Sequence, residues 1–301
     1  MAGLQGGARP RRAVAGRRVA GLTRRDSALL LVLGATWGAV YPLTTIALRE
    51  LSPPAVVFYR AALAAVVLLP VALRAGVLRA AAARPLAVLG AALLQATIPL
   101  VLLTAGQQHV SAALAGIVLA TQALWAAVLT AAAGGGLRAR TLAGILTGLC
   151  GVIALFAAGL RLDGSTGLGG LELLAAAACY AAGSVYIERV IPEVPPVATA
   201  AAAMTVSAIA LVPFAAATGL AVPGLATAVW VVVLGVAGTG AALAGFYLLI
   251  QRAGAVRANL AGYLAPAFAV LYGLTFLGEH LHPGAIAGLA LILAGSYLAV
   301  A

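Results

Sequence analysis

The sequence predicts an all-α polytopic membrane protein: ten transmembrane helices arranged as two inverted five-helix repeats. Three observations lead there: long apolar runs, the side on which the arginines fall, and a weak internal repeat. Of 301 residues, 64% are hydrophobic and only 8% charged, whereas a soluble chain of this length carries far more charged surface. The apolar residues gather into runs at 27–48, 54–73, 85–105, 111–133, 141–158, 168–186, 196–220, 226–250, 258–277 and 283–300. Each is near the roughly 20 residues that cross a bilayer at about 1.5 Å per residue.

The chain opens with a basic tail, residues 1–26, holding Arg9, Arg11, Arg12, Arg17, Arg18, Arg24 and Arg25. It has no apolar periodicity and is expected to be disordered. Such a tail could serve as the n-region of a signal peptide. The run that follows is long, however, and no A-x-A-like cleavage site precedes polar sequence, so the first helix is expected to be retained. With the tail in the cytoplasm, Arg74, Arg79, Arg84, Arg138, Arg140, Arg189, Arg252 and Arg257 all fall on the same side. The opposite loops carry Arg49 and Arg161, and Arg60 lies within a span. Cytoplasmic loops are the arginine-rich ones, and an even number of spans puts both termini in the cytoplasm. The chain has no lysine and is heavy in Ala and Gly, as codon bias in a GC-rich bacterial genome would produce. The expected location is therefore a bacterial inner membrane. Arginines confined to short loops and a tail also argue against nucleic acid as partner.

Residues 112–153 resemble 256–297 at a shift of 144, which pairs Gly134 with Gly278, Gly144 with Gly288 and Gly151 with Gly295. Five helices per copy make the two copies opposite in membrane orientation, the plan that permits alternating access. The first repeat is expected to cover 27–160 and the second 161–301, with the glycine-rich stretch 159–170 as the junction. In the last two runs Gly262, Ala265, Ala269, Gly273, Gly284, Gly288 and Gly295 recur as small residues that let helices approach in lipid. Pro266 removes a mid-span hydrogen bond, which is tolerated beside a cavity or a neighbouring helix.

Several stretches resemble the EamA-type proteins of the drug/metabolite transporter superfamily. Near the end these are Tyr263-Leu264-x-Pro266, Gly278-Glu279, Gly288 and Ala294-Gly295. Near the start they are Trp37-Gly38-x-x-Tyr41-Pro42, then Leu51-Ser52-Pro53-Pro54 followed by Phe58-Tyr59-Arg60-Ala61. In the sixth run they are Gly170-Leu171-Glu172-Leu173-Leu174 and Cys179-Tyr180-Ala181. The resemblance spans nearly the whole chain after the tail. It implies ten helices in two inverted halves and transport of small metabolites, often amino acids. The first half departs from the pattern: Gln122 stands where the second half has Pro266, and Gly135 where it has Glu279.

Charged groups inside lipid are rare and point to function by default. Arg60 lies about two turns, roughly 9 Å, below the outer start of its helix. It either snorkels outward to pair with Glu50 or Glu279, or serves as counter-charge to a substrate carboxylate. Glu172 is expected in the first turn of its helix, where a carboxylate favours the dipole; proton coupling is the other reading, for it and for Glu279. Glu279, His280 and His282 lack a further ligand, so no metal is expected. The uncharged candidates for a substrate cavity are Trp37, Tyr41, Gln95, Gln122, Trp125, Tyr180, Tyr247 and Tyr263, with Thr97, Asn259 and Tyr272 beside them. Gln95 and Gln122 are the sharpest, because an amide facing lipid leaves donors and acceptors unmet. They either bind substrate or bridge helices. Tyr186, near an inner end, reads as an interfacial anchor. Cys150 and Cys179 fall in apolar runs and are expected to be free, buried and inert.

No G-x-x-x-x-G-K-[ST] stretch is present, so the energy for transport would come from a gradient. No span holds a histidine or two acids, which argues against an intramembrane enzyme, and no cofactor is expected. The expected function is a secondary transporter, in the exporting direction, of a small organic metabolite such as an amino acid, with the lipid bilayer and that small molecule as partners. A homodimer stays open, as do efflux of toxic cationic or amphipathic compounds and a non-transporting scaffold.

Overall fold

The computed structural model describes residues 23–132, 139–159, 164–278 and 283–300, which are helical apart from short connections and contain no strand. Its long helices are α1 (Arg24–Ala47), α2 (Pro53–Arg74), α3 (Pro85–Gly106), α4 (Ala112–Thr130), α5 (Ala139–Gly159), α6 (Gly164–Val190), α7 (Pro196–Ala217), α8 (Leu225–Ala253), α9 (Ala261–Phe276) and α10 (Pro283–Val300). Among the described residues, seven helices (α1 to α4 and α6 to α8) are long and apolar enough to cross a membrane. The other three hold the shorter apolar stretches Leu142–Gly151, Leu264–Phe276 and Ile286–Gly295. Large apolar side chains such as Leu31, Val66, Leu146, Phe214, Trp230 and Phe276 are exposed around the outside, as expected where the surroundings are lipid.

Local chemistry explains the boundaries. Proline opens α2, α3, α7 and α10, at the position where its missing N–H costs nothing and its fixed φ suits a helix. Thr23 caps α1 with a reciprocal box: its hydroxyl accepts from the Asp26 N–H at 3.2 Å, while Asp26 Oδ2 accepts from the Thr23 N–H at 3.2 Å. Gly76 and Gly219 follow α2 and α7 at φ of 66° and 84°, a left-handed turn that glycine makes without strain. The second of these ends α7 at Ala217, short of the expected 220.

The structure starts the sixth helix earlier than expected. Residues 164–167, placed before that run and within the link between halves, already belong to α6, which begins at Gly164 rather than 168. A Cβ at Gly169 would meet His109 Cβ at 2.7 Å and the Gly106 carbonyl at 2.9 Å. Gly169 therefore seats α6 against the end of α3, and packing overrides the poor helix propensity of this stretch. Residues 1–22, 133–138, 160–163, 279–282 and 301 lie outside the described set; most of the expected basic tail falls there.

The helices pair through small residues. Leu264 and Phe268 of α9 press on Gly34 and Gly38 of α1. In the α5–α10 pair a Cβ at Gly151 would meet Ile292 N at 2.7 Å and Gly288 O at 2.8 Å, and one at Gly295 would collide with Gly148 N. That register makes α5 and α10 antiparallel. So are α2 and α7, since Ser52 before α2 bonds Thr218 after α7 at 2.8 Å.

The neighbours also match when helices are exchanged five places along the chain. α1 packs on α9 as α6 does on α4, and α3 on α6 as α8 does on α1. A π-helical segment interrupts α3 at Leu93–Thr97 and α8 at Val236–Ala241. In each, a threonine hydroxyl donates to the carbonyl five residues back: Thr97 to Ala92 at 3.2 Å and Thr239 to Leu234 at 2.8 Å. Each segment has a tight contact at the same register, with large and small partners swapped. Gly183 of α6 makes room for Gln95, whereas Gly238 of α8 makes room for Val40 of α1. Both Val40 with Gly183 and Gln95 with Gly238 are 143 positions apart.

Polar ties close the bundle at the face where α1 begins (the near face) and at the opposite, far face. At the far face Glu50, between α1 and α2, accepts from the Gly224 N–H at 2.7 Å and the Thr227 hydroxyl at 2.6 Å. At the near face Glu193, between α6 and α7, pairs with Arg84 at 2.6 Å, and Arg84 also donates to the Val190 carbonyl at 3.0 Å. Glu50 and Glu193 are 143 positions apart, and so are Arg84 and Thr227. The two donated hydrogen bonds hold the Glu50 carboxyl below the ordinary carboxylate range, the Thr227 hydroxyl contributing most. With the folded-state pKa depressed, the far tie is complete above the ordinary range and is lost as pH falls through the depressed value.

A Gly295→Val substitution should drive α10 off α5 and destabilise the detergent-solubilised protein by about 1–3 kcal/mol. The outward-facing Ala143→Val should leave the thermal melting midpoint unchanged.

Candidate functional site

Between the two sets of helices lies a cavity of about 700 Å³, a volume that includes the open space at its mouth. Its wall comes from α1 (Trp37, Val40, Tyr41), α2 (Arg60), α3 (Gln95, Leu100, Leu103), α4 (Leu119, Gln122), α6 (Tyr180), α7 (Met204), α8 (Gly238, Thr239, Leu243) and α9 (Gly262, Ala265). Among the described residues, α5 and α10 contribute nothing to it. The two π-helical segments supply Gln95 on one side and Gly238 and Thr239 on another. A widened turn shifts the side chains and backbone groups it presents, and such turns recur at functional sites.

Six of the residues singled out from the sequence meet here: Trp37, Tyr41, Arg60, Gln95, Gln122 and Tyr180. Trp37 is held edge-on against Phe246 with ring centroids 5.0 Å apart. Tyr41 is buried, and its carbonyl accepts from Gln107 Nε2 at 3.0 Å. Gln122 both lines the cavity and bridges helices. Its amide donates to Asn259 Oδ1, and Asn259 Nδ2 donates to Ser184 Oγ and to the Ala255 carbonyl, each at 2.8 Å. That chain ties α4, the turn before α9, and α6 inside the protein. Gln95 is 2% exposed, and its Oε1 has no hydrogen-bond partner among the described residues.

Arg60 does not snorkel. It is 2% exposed and faces the cavity, and its Nε donates to Thr239 Oγ1 at 3.2 Å. Glu50, one expected partner, is held instead by Gly224 and Thr227. Arg60 Nη1 has no hydrogen-bond partner among the described residues.

Other candidates lie elsewhere. Trp125 is 40% exposed. The buried arc of α4 runs through Gln122, Ala126, Ala123, Ala127 and Leu124, and at 100° per residue Trp125 falls outside it. Tyr247 is buried against Phe246 in the core, one turn beyond Leu243, and does not reach the cavity wall. Glu172 is not in a first turn. Because α6 starts at Gly164, it stands about 12 Å along the helix, half-buried, its Oε2 without a partner among the described residues. Glu279 with His280 and His282, and the side chain of Tyr263, lie outside the described set. Tyr186 is half-buried against Gly90 of α3, near the end of α6. Cys150 and Cys179 are free, but Cys150 is exposed on the outside of α5 and Cys179 is half-buried. Sequence reasoning missed Thr239 and Met204. Gly238-Thr239-Gly240 inside an apolar run was a usable signal of close backbone approach; nothing marked Met204.

An all-helical chain with membrane-length apolar helices and a central cavity walled by most of them has the build of a multi-pass carrier. The chain belongs to the EamA-like transporter family, whose model matches residues 27–157 and again 167–301. It is a multi-pass membrane transporter, not an enzyme. A solved structure described as "Crystal structure of protein" superposes with a TM-score of 0.67 at 22% identity, covering 92% of this chain and 98% of that one. That likeness concerns the fold alone. No curated protein matches the chain.

A Gln122→Met substitution should leave Asn259 Oδ1 without its donor and lower stability by about 1–3 kcal/mol. Trp125→Phe, on the outer surface, should not change the thermal midpoint of the purified protein.

Proposed function

We propose that the protein is a secondary transporter of a small organic metabolite such as an amino acid, working in the exporting direction by alternating access. In this reading ten helices cross a bacterial inner membrane as two inverted five-helix repeats, with the near face and both termini in the cytoplasm. The observation that carries it is the matched build of the two halves around one cavity. Equivalent helices run antiparallel, equivalent π-helical segments flank the cavity, and equivalent glutamates tie the far and the near face. A bundle with the same closure at each end can open at either, one tie breaking while the other holds.

The wall chemistry supports the cargo class. Trp37, Tyr41 and Tyr180 with the amides of Gln95 and Gln122 suit a small amphipathic molecule. Cationic drugs are disfavoured, since among the described residues the charged side chain on the wall is Arg60 and no carboxylate accompanies it. A rigid scaffold would not need matched ties at opposite faces.

The test reads which face is open. In a Cys150→Ser, Cys179→Ser background, a cysteine replacing Leu103 on the far half of the cavity is labelled by a membrane-impermeant maleimide added outside the cell. Glu50→Gln should raise the labelling rate, and Glu193→Gln should lower it, each by up to about fivefold, the worth of one exposed tie. Equal responses to the two variants would count against alternating access. Counterflow in proteoliposomes tests transport itself: preloaded unlabelled amino acid should draw labelled amino acid inward, which a scaffold cannot do.

A further inference from the structure

We propose that Arg60 is the seat of a carboxylate on the transported molecule, so that the cavity takes small monocarboxylates with an apolar body. This rests on the carrier reading above and names its cargo class.

A guanidinium stays ionised in proteins. Arg60 is 2% exposed, and its only hydrogen bond among the described residues is from Nε to Thr239 Oγ1. The Thr239 hydroxyl spends its proton on the Leu234 carbonyl, so it offers the cation a lone pair and no charge. Nη1 has no partner. A buried charge without a counter-charge is costly, and the described acids do not supply one. Glu50 is engaged by Gly224 and Thr227, Glu193 by Arg84, and Asp26 by Thr23 with Arg252 3.8 Å away, while Glu172 is not on the cavity wall and Glu188 is exposed away from it. A carboxylate arriving with the cargo supplies the missing charge, and a guanidinium holds that group through paired N–H donors.

The remaining wall fixes the rest of the molecule. Gln95 Oε1, also unpartnered, accepts from a cargo N–H where one is present. Leu100, Leu103, Leu119, Met204 and Leu243 form an apolar lining for a hydrocarbon body. The loaded carrier then turns with Arg60 neutralised, and the empty one with it unpaired. Exchange of cargo across the membrane is therefore faster than net flux.

The test measures binding to the full-length protein in detergent, by tryptophan fluorescence and thermal shift. Each carboxylate is set against its carboxamide: isovalerate with isovaleramide, leucine with leucinamide, phenylalanine with phenylalaninamide. The carboxylates should bind at least about tenfold more tightly, as a charge-assisted contact predicts. Arg60→Gln should erase the difference and Arg60→Lys should keep part of it. The ligand-free Arg60→Gln protein should melt no lower than the parent, because a strained charge is removed; a purely structural arginine would give a lower melting point. Carboxylates that bind no better than their amides, carboxylates that do not bind at all, or undiminished binding by Arg60→Gln would each overturn the assignment. Liposome exchange separates the two readings. Carboxylate binding without exchange leaves the seat and removes the carrier, whereas exchange without carboxylate preference does the reverse.

Discussion

A carbonyl or N–H that faces hydrocarbon can bond only within the protein, and the interior here is arranged by that requirement. Where α3 and α8 widen into π turns, Thr97 and Thr239 return a hydroxyl to the carbonyl left behind. Gln107 reaches across to the Tyr41 carbonyl, one residue before Pro42, which α1 carries without a break. Asn259 fills the turn before α9 by bonding the Ala255 carbonyl, and passes the chain on to Ser184 and Gln122. Two buried groups stand outside this settlement on the cavity wall, Arg60 Nη1 and Gln95 Oε1, and both belong to side chains that face open space rather than lipid.

Helix pairing follows from the same solvent. Apolar side chains gain little by leaving lipid for a neighbouring helix, so association relies on close backbone approach. Gly34 and Gly38 bring α1 onto α9, and Gly151 and Gly295 bring α5 onto α10. The first pair reaches the cavity through Trp37, Tyr41 and Ala265, while among the described residues the second stays clear of it. The bundle thus divides into helices that build the site and a glycine-packed pair set to one side.

The helices were legible because hydrocarbon thickness imposes their length and because proline marks where α2, α3, α7 and α10 begin. The cavity was legible in part: an amide inside an apolar run has few acceptable orientations, which is why Gln95 and Gln122 were placed inward. Aromatic rings carry no such constraint. Trp125 is as comfortable against lipid, and Tyr247 in the core, as either would be beside a substrate. Arg60 was ambiguous for want of its neighbours, since snorkelling or burial depends on which side of α2 meets α8. The glycines at 164–170 read as a link because propensity favours one, and the end of α3 packed against Gly169 is what a local reading lacks. The π turns have no local signature. One signal was present and passed over: the offset of 143 also pairs Pro53 with Pro196 and Gly76 with Gly219, so the duplication extends across α2 and α7.

The two face ties are equivalent in position but not in chemistry. Glu193 meets a full positive charge on Arg84, both side chains about half exposed at 48% and 53%, whereas Glu50 meets a backbone amide and a hydroxyl. Dissolved salt screens the attraction of opposite charges in water and acts far less on hydrogen bonds to neutral donors. Ionic strength on the side of Glu193 therefore loosens one closure, while the same electrolyte on the side of Glu50 leaves the other in place. The duplicated architecture thus carries a built-in sidedness in its response to the surrounding medium.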